Sequence, residues 1–293
     1  MANNFIVSPM LEKISLKAGE TYTGSILIAN PKDATEDFYY KISTSPYSVI
    51  GENYMADFET ISDWSRILEW TTLEDTEGTL KPNETKRIFY TIEVPKNAPA
   101  GGQYLKIGVT SNAAASGSGG AVQDVFEIAS LVFAEIDGET TRGGRILEGK
   151  IPDFVTSSNP AVTAKFTNTG NVHETATTAL YVKDLLGGGE IYPQNGENPE
   201  MESIIMPLST RVVSRQIPNL PVVGIFEVKE TISYRGDTMD VTSVMVVCPA
   251  WFILLILATI ASILGMVFYG RHLKRKKFKK QLHSEKTNAK IEP

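Results

Sequence analysis

Between Asp240 and Arg271 the chain carries 30 residues without a charged side chain. Its core, residues 249–269, reads PAWFILLILATIASILGMVFY. As a helix rising about 1.5 Å per residue, this segment extends about 31 Å, close to the roughly 30 Å of a bilayer's hydrocarbon layer. Pro249 suits a first helical position, where its missing N–H costs nothing. Trp251 and Tyr269 stand near the two ends, where amphipathic rings favour the membrane interface. The sequence therefore predicts a transmembrane helix over residues 248–270.

The flank fixes an orientation. RHLKRKKFKK places Arg271, Lys274, Arg275, Lys276, Lys277, Lys279 and Lys280 directly after the apolar run. Short basic flanks stay cytoplasmic, so the N-terminus is expected outside the cell membrane, in a single-pass topology. The basic tail, residues 271–293, is also placed to touch anionic lipid headgroups. It holds 9 Lys/Arg and 2 acidic residues, which leaves 19 Lys/Arg against 32 Asp/Glu in the rest of the chain. An acidic ectodomain argues against nucleic acid as a partner, because phosphate backbones attract clustered Lys and Arg. Export of such an ectodomain calls for a signal peptide, and MANNFIVSP has no apolar segment of that kind. The expectation is a signal peptide already removed or a start placed too late.

The region before residue 248 reads as β throughout. Residues 21–30 (TYTGSILIAN), 38–44 (FYYKIST), 86–94 (KRIFYTIEV) and 103–110 (QYLKIGVT) are short, β-branched or aromatic runs separated by turn residues. That spacing suggests antiparallel sandwiches. AAASGSGG at residues 113–120 resembles a linker but is read as a hairpin loop, because cutting there would strip the first domain of its closing strand. The expected fold is an all-β ectodomain of two tandem immunoglobulin-like β-sandwiches, residues 1–138 and 139–247, followed by one transmembrane helix.

The residues GTLKPNETKRIFYTIEVPKNAPAGGQY (78–104), FTNTGNVHETATTALYVKD (166–184) and the later MPLSTRVVS and LPVVGIFEV resemble the bacterial WxL-interacting surface protein family. More loosely, the pattern is similar to pilus-chaperone-like immunoglobulin folds. The resemblance covers nearly the whole chain in order and layout. It implies a peptidoglycan-associated N-terminal domain, a second immunoglobulin-like domain, a membrane helix and a basic tail.

No catalytic set emerges, and an enzyme is not expected. The histidines are His173, His272 and His283, and the last two lie in the tail. His173 is read as a surface residue just past a turn. No spacing for zinc or for a nucleophile elbow is present, and no metal or cofactor is expected. GGRILEGK at residues 143–150 has phosphate-loop glycines, but Ile151 and Pro152 follow where the motif needs a hydroxyl and a helix, so it is read as a strand. Acidic turns at Asp75, Glu77, Asp137 and Glu139 lack a calcium-loop pattern.

The remaining signal is aromatic. Residues 38–70 hold Phe38, Tyr39, Tyr40, Tyr47, Tyr54, Phe58, Trp64 and Trp70. Phe38 and Tyr40 alternate on one strand face and are assigned to the core. Tyr47, Tyr54 and Trp64 fall in loop-like sequence. They are the candidate partner-binding residues, because exposed loop aromatics serve as anchors for protein or sugar rings. The reading is a membrane-anchored surface binding or scaffolding protein that contacts cell-wall polymer or another surface protein. The alternative is a sensor or assembly subunit of a membrane complex, with partners packed on small residues of the helix such as Thr259, Ala261, Ser262 and Gly265.

Overall fold

The computed structural model describes residues 5–111, 126–157, 159–193, 200–217 and 220–288, with side chains described as far as residue 277. The loop expected at residues 113–120 lies outside the described residues, as do the side chains of Lys279 and Lys280. Eleven strands precede residue 137: β1 (Ile6–Ser8), β2 (Leu11–Leu16), β3 (Thr21–Ala29), β4 (Phe38–Pro46), β5 (Ser48–Ile50), β6 (Met55–Asp57), β7 (Thr71–Leu73), β8 (Glu77–Leu80), β9 (Thr85–Glu93), β10 (Gly101–Ser111) and β11 (Glu127–Ile136). One sheet has the order β1-β3-β9-β7, and the facing sheet has the order β2-β11-β10-β4-β8. β10 and β11 pair antiparallel from Gly101↔Ile136 to Thr110↔Glu127.

Alternation builds this sandwich. Ile26 and Ile28 of β3 and Ile88, Tyr90 and Ile92 of β9 point inward and are 1 % exposed or less. They meet Phe38, Tyr40 and Ile42 of β4 and Leu105, Ile107 and Val109 of β10 in one core. Each such side chain contributes about 1.5–3 kcal/mol by leaving water. β10 departs from the alternation expected of QYLKIGVT: nearly every residue along it is buried. Its outer face is covered as well, by the excursion between β4 and β7 and by the second sandwich.

Nine further strands follow Gly144: β12 (Gly144–Lys150), β13 (Phe154–Val155), β14 (Ala161–Asn168), β15 (Glu174–Asp184), β16 (Glu190–Tyr192), β17 (Met201–Ile205), β18 (Thr210–Gln216), β19 (Gly224–Tyr234) and β20 (Asp237–Val247). β12-β14-β18 form one sheet; β13-β20-β19-β15-β16, with β17 also on β15, form the other. The phosphate-loop look-alike is strand β12. Among the described residues no ladder joins β1–β11 to β12–β20. The chain before the helix is thus two immunoglobulin-like β-sandwiches in tandem.

The second core is split by a polar layer. Glu230, 1 % exposed, lies on the inward face of β19 with Phe226, Val228, Ile232 and Tyr234. Arg215 enters from β18 and donates to the Thr178 carbonyl and to Tyr192 Oη, each at 2.7 Å. Above and below this layer sit separate apolar clusters, one around Leu180, Phe226 and Val247 and the other around Phe166, Ile205 and Ile232. Burial raises the Glu230 carboxyl to about 7 against the lowering effect of Arg215.

After β20 the chain enters a helix, Ala250–Asn288. Pro249 is one residue before it, and its carbonyl accepts from Phe252 N–H at 2.9 Å and Ile253 N–H at 3.2 Å, opening the ladder. Residues Ala250–Lys277 are long and apolar enough to cross a membrane, with mean hydropathy 2.5 over the most apolar stretch. The helix does not stop at residue 270 but runs on into the basic tail. Lys, Arg, Gln and Leu all favour helix, and no Pro or Gly interrupts residues 271–288.

Candidate functional site

The excursion between β4 and β7 builds the junction of the two sandwiches. β5 and β6 form a hairpin, with Ser48↔Asp57 and Ile50↔Met55 paired. Its turn, Gly51–Tyr54, reaches the edge strand β18, where the Glu52 carbonyl accepts from Val212 N–H at 2.8 Å. The Glu52 carboxylate pairs with Lys165 at 2.8 Å. Tyr54, at φ 55, turns its phenol into the second sandwich. Its oxygen accepts from Met206 N–H at 2.9 Å and shares a hydrogen bond with Ser209 Oγ. The Arg211 guanidinium lies 4.6 Å over the Tyr54 ring. The hairpin is therefore a clasp holding the second sandwich.

The Asn-Thr-Gly-Asn turn makes the reciprocal contact. Asn168, 1 % exposed, donates to the carbonyls of Val172 and Ile205 and accepts from Gly170 N–H. That fixes Asn171, whose carbonyl accepts from Gly102 N–H at 2.8 Å and whose amide donates to the Ala100 carbonyl at 3.2 Å. A side chain at Gly101 would come within 2.8 Å of the Asn171 carbonyl, and Gly101 has φ +127. Glycine there permits the close approach. Arg142 adds a bridge, binding Glu135 of the first sandwich at 2.5 Å and Glu174 of the second at 3.1 Å.

Between these contacts runs an aromatic row on the outer face of β10 and β11. Lys106 Nζ sits 4.3 Å over Phe58 and pairs with Glu127 at 2.7 Å. Phe58 and Tyr47 are 5.9 Å apart, Tyr47 and Phe133 5.4 Å, and Phe133 and His173 5.3 Å. Tyr104 completes the row, edge-on to both Phe133 and His173. Its oxygen accepts from His173 N–H at 3.0 Å. The expectation of a surface His173 is corrected: the ring is half-buried where the sandwiches meet, packed on Tyr104 and Phe133. Burial, with Lys13 nearby, lowers it to about 4. Burial also pushes the Tyr104 hydroxyl upward.

The three loop aromatics come together here, though none is a fully exposed anchor. Tyr47, Tyr54 and Trp64 are all half-buried and pack against the Tyr104–Phe133–Met206 cluster. Trp64 stands in a short 3-10 turn, Asp63–Ser65, capped by Ser62. The buried Gln103 anchors that turn by donating to the Asp63 carbonyl at 2.8 Å and accepting from Ile67 N–H at 3.2 Å. Tyr47 and Tyr54 also line a cleft of about 270 Å³ between the sandwiches. Leu11, Leu131 and Phe133 share its first wall, and Glu202, Ser203, Ile204, Met206 and Arg211 form the second. Sequence reasoning missed the second wall, which carries no aromatic ring and reads as ordinary strand.

The cleft offers ring faces, a guanidinium and a carboxylate, a set suited to recognition. Among the described residues no group of three or more His, Cys, Asp and Glu side chains is placed to hold a metal ion. The helix positions Pro249, Trp251, Tyr269, Arg271, Lys274, Arg275, Lys276 and Lys277 lie 30 residues or fewer along the chain from β20, away from this site; Trp251 is 58 % and Tyr269 66 % exposed.

No family model matches the chain, and no curated protein matches it. Among solved structures it is similar to the class 5 fimbriae chaperone CfaA, with 14 % identity, TM-score 0.40, and 84 % of this chain and 100 % of that chain covered. It is similar also to the YadV chaperone, with 9 % identity, TM-score 0.41, and 82 % and 99 % covered. A third is the E. coli chaperone DraB, with 11 % identity, TM-score 0.38, and 83 % and 96 % covered.

Proposed function

We propose that this chain is a membrane-anchored, cell-surface binding or scaffolding protein whose interdomain cleft contacts cell-wall polymer or another surface protein. The observation that carries the reading is the cleft itself: both sandwiches contribute walls, and Tyr47, Tyr54, Arg211 and Glu202 converge on it. Aromatic faces stack on sugar rings or apolar side chains, while the two charged groups select for polar substituents. The clasp keeps the two walls in register, so the site needs little ordering when a partner arrives. In this reading the helix spans the cell membrane with the N-terminus outside, and the basic tail touches anionic headgroups on the cytoplasmic side. Membership of the WxL-interacting surface protein family would fit this layout and stands as part of the proposal.

The test is capture of envelope material by the full-length protein. Glu202 is exposed at the cleft mouth, so Glu202→Arg should leave thermal unfolding unchanged. Capture should fall by about tenfold, as reversal of a charge in a recognition patch does. Undiminished capture removes the cleft as the binding site. The alternative, a subunit of a membrane complex, draws on the helix, which is uncovered along Ala250–Lys277. A partner that stays bound in detergent after removal of the ectodomain would favour it.

A further inference from the structure

The strands of the second sandwich run between two ends. At one end Tyr234, Glu174 and Ser209 lie by the first sandwich. At the other, Gly224 pairs with Val247 and Phe226 with Met245, and Asp184 of β15 pairs with Phe226. Five large apolar side chains stand exposed at this second end. Phe154, on β13, pairs at the level of Val246. Leu185 and Leu186 follow β15, with Leu185 N–H donating to the Ile225 carbonyl at 2.9 Å. Val222 and Val223 lead into β19. Their exposures run from 39 % to 72 %.

Single exposed apolar residues are ordinary, but a group gathered on a short edge strand and loops at one end of a domain calls for a cover. The position of the helix says what that cover is. Only Cys248 and Pro249 separate β20 from the helix. The Cys248 N–H still donates to the Val155 carbonyl at 2.9 Å, so the connection itself is held against the sandwich. A rim this close to the start of the apolar helix faces the layer that the helix enters if it crosses a bilayer.

We propose that this end of the second sandwich is an interfacial footprint: Phe154, Leu185, Leu186, Val222 and Val223 insert into the outer headgroup layer of the bilayer that the helix crosses. Asp153 and Asp184 adjoin Phe154 and Leu185 in the chain. Each is engaged by the chain, Asp153 with Ser243 Oγ at 2.7 Å and Asp184 with Leu186 N–H at 2.8 Å. The contact is therefore apolar insertion, and it needs no anionic lipid. The inference rests on the membrane-spanning reading of the helix.

The test uses the full chain in phosphatidylcholine vesicles. In a Cys248→Ser background, a nitroxide is attached at Leu186→Cys or Val222→Cys. Two further sites serve as references: Leu257→Cys in the helix and Asp237→Cys at the far turn of the β19–β20 hairpin. Collision with oxygen relative to a water-soluble nickel chelate reads depth. The expected ratios at Leu186 and Val222 are several-fold above that at Asp237 and below that at Leu257. Aqueous values at Leu186 and Val222 with a buried Leu257 overturn the footprint and leave the membrane helix intact. Aqueous values at all sites overturn the membrane reading itself. Nickel shielding at Leu186 that persists in detergent with spin–spin broadening means a second copy covers the rim, and also overturns the proposal.

Discussion

Tyr104 and His173 meet across the junction of the two sandwiches: the phenol oxygen accepts the His173 backbone N–H at 3.0 Å and lies 3.3 Å from His173 Nδ1. Tyr104 is fully buried, so removing its hydroxyl strands a donor away from water. Tyr104→Phe should lower stability by about 1–2 kcal/mol. Urea unfolding followed by intrinsic fluorescence measures this, and an unchanged midpoint would show that the pair contributes nothing net.

The clasp makes a parallel claim. Tyr54→Phe leaves Met206 N–H without its acceptor but keeps the ring under Arg211. Tyr54→Ala loses both. The expected costs are about 1–2 kcal/mol for the first and at least about 1 kcal/mol more for the second. Limited proteolysis should cut near residues 48–57 faster in Tyr54→Ala than in the unaltered protein.

Two groups, the half-buried His173 and the buried Glu230, give opposite pH dependences. His173 is held down to about 4 in the folded protein against an unfolded value of 6.5, so its contribution is complete above pH 6.5 and is lost as pH falls toward 4. Glu230 is raised to about 7 against 4.5, so its contribution is complete below pH 4.5 and is lost as pH rises toward 7. Each is worth roughly 3 kcal/mol over its window. The two largely cancel between them. Glu230→Gln should therefore expose a stability that rises with pH across this range, and His173→Gln one that falls. Denaturant titrations at several pH values check both slopes, and parallel curves for all three proteins would contradict the assignment.

Trp64 tests whether the half-buried aromatics are chiefly packing. It lies against the Tyr104–Phe133–Met206 cluster, so Trp64→Ala should cost about 2–4 kcal/mol of stability. If the same variant at a temperature where it remains folded also loses envelope capture, Trp64 contacts the partner as well. A loss of capture without a loss of stability would place it in recognition alone.

Much of the architecture was legible because alternation survives wherever one strand face is solvated. β3, β9 and β19 read as strands from their inward Ile, Tyr and Phe residues, and the apolar helix read from its length. The same phase put Glu230 on the inward side of GIFEVKETISY, and Arg215 on that of TRVVSRQ, so the polar layer had a sequence signal. β10 was harder. Its period vanishes because both faces are covered, and the cover over its outer face comes from residues far away in the chain. The clasp was illegible for a related reason. Ser48–Asp57 mixes exposed and half-buried positions without a period, and its partners Met206, Arg211 and Val212 lie more than 150 residues later in the chain. His173 follows a turn, as expected, but the turn docks on another domain, which local sequence does not encode.

The two-residue connection at Cys248–Pro249 makes the second sandwich a short mast. β19 has eleven residues, which span about 36 Å at 3.3 Å each. That sets the height of the cleft above the point where the helix begins. With a mast held at its foot, leaning of the helix is not absorbed by slack chain. A membrane helix inclined by about 20° would sweep the cleft sideways by roughly 12 Å. In the proposed topology, bilayer thickness and helix inclination become variables that decide which layer outside the membrane the cleft can reach.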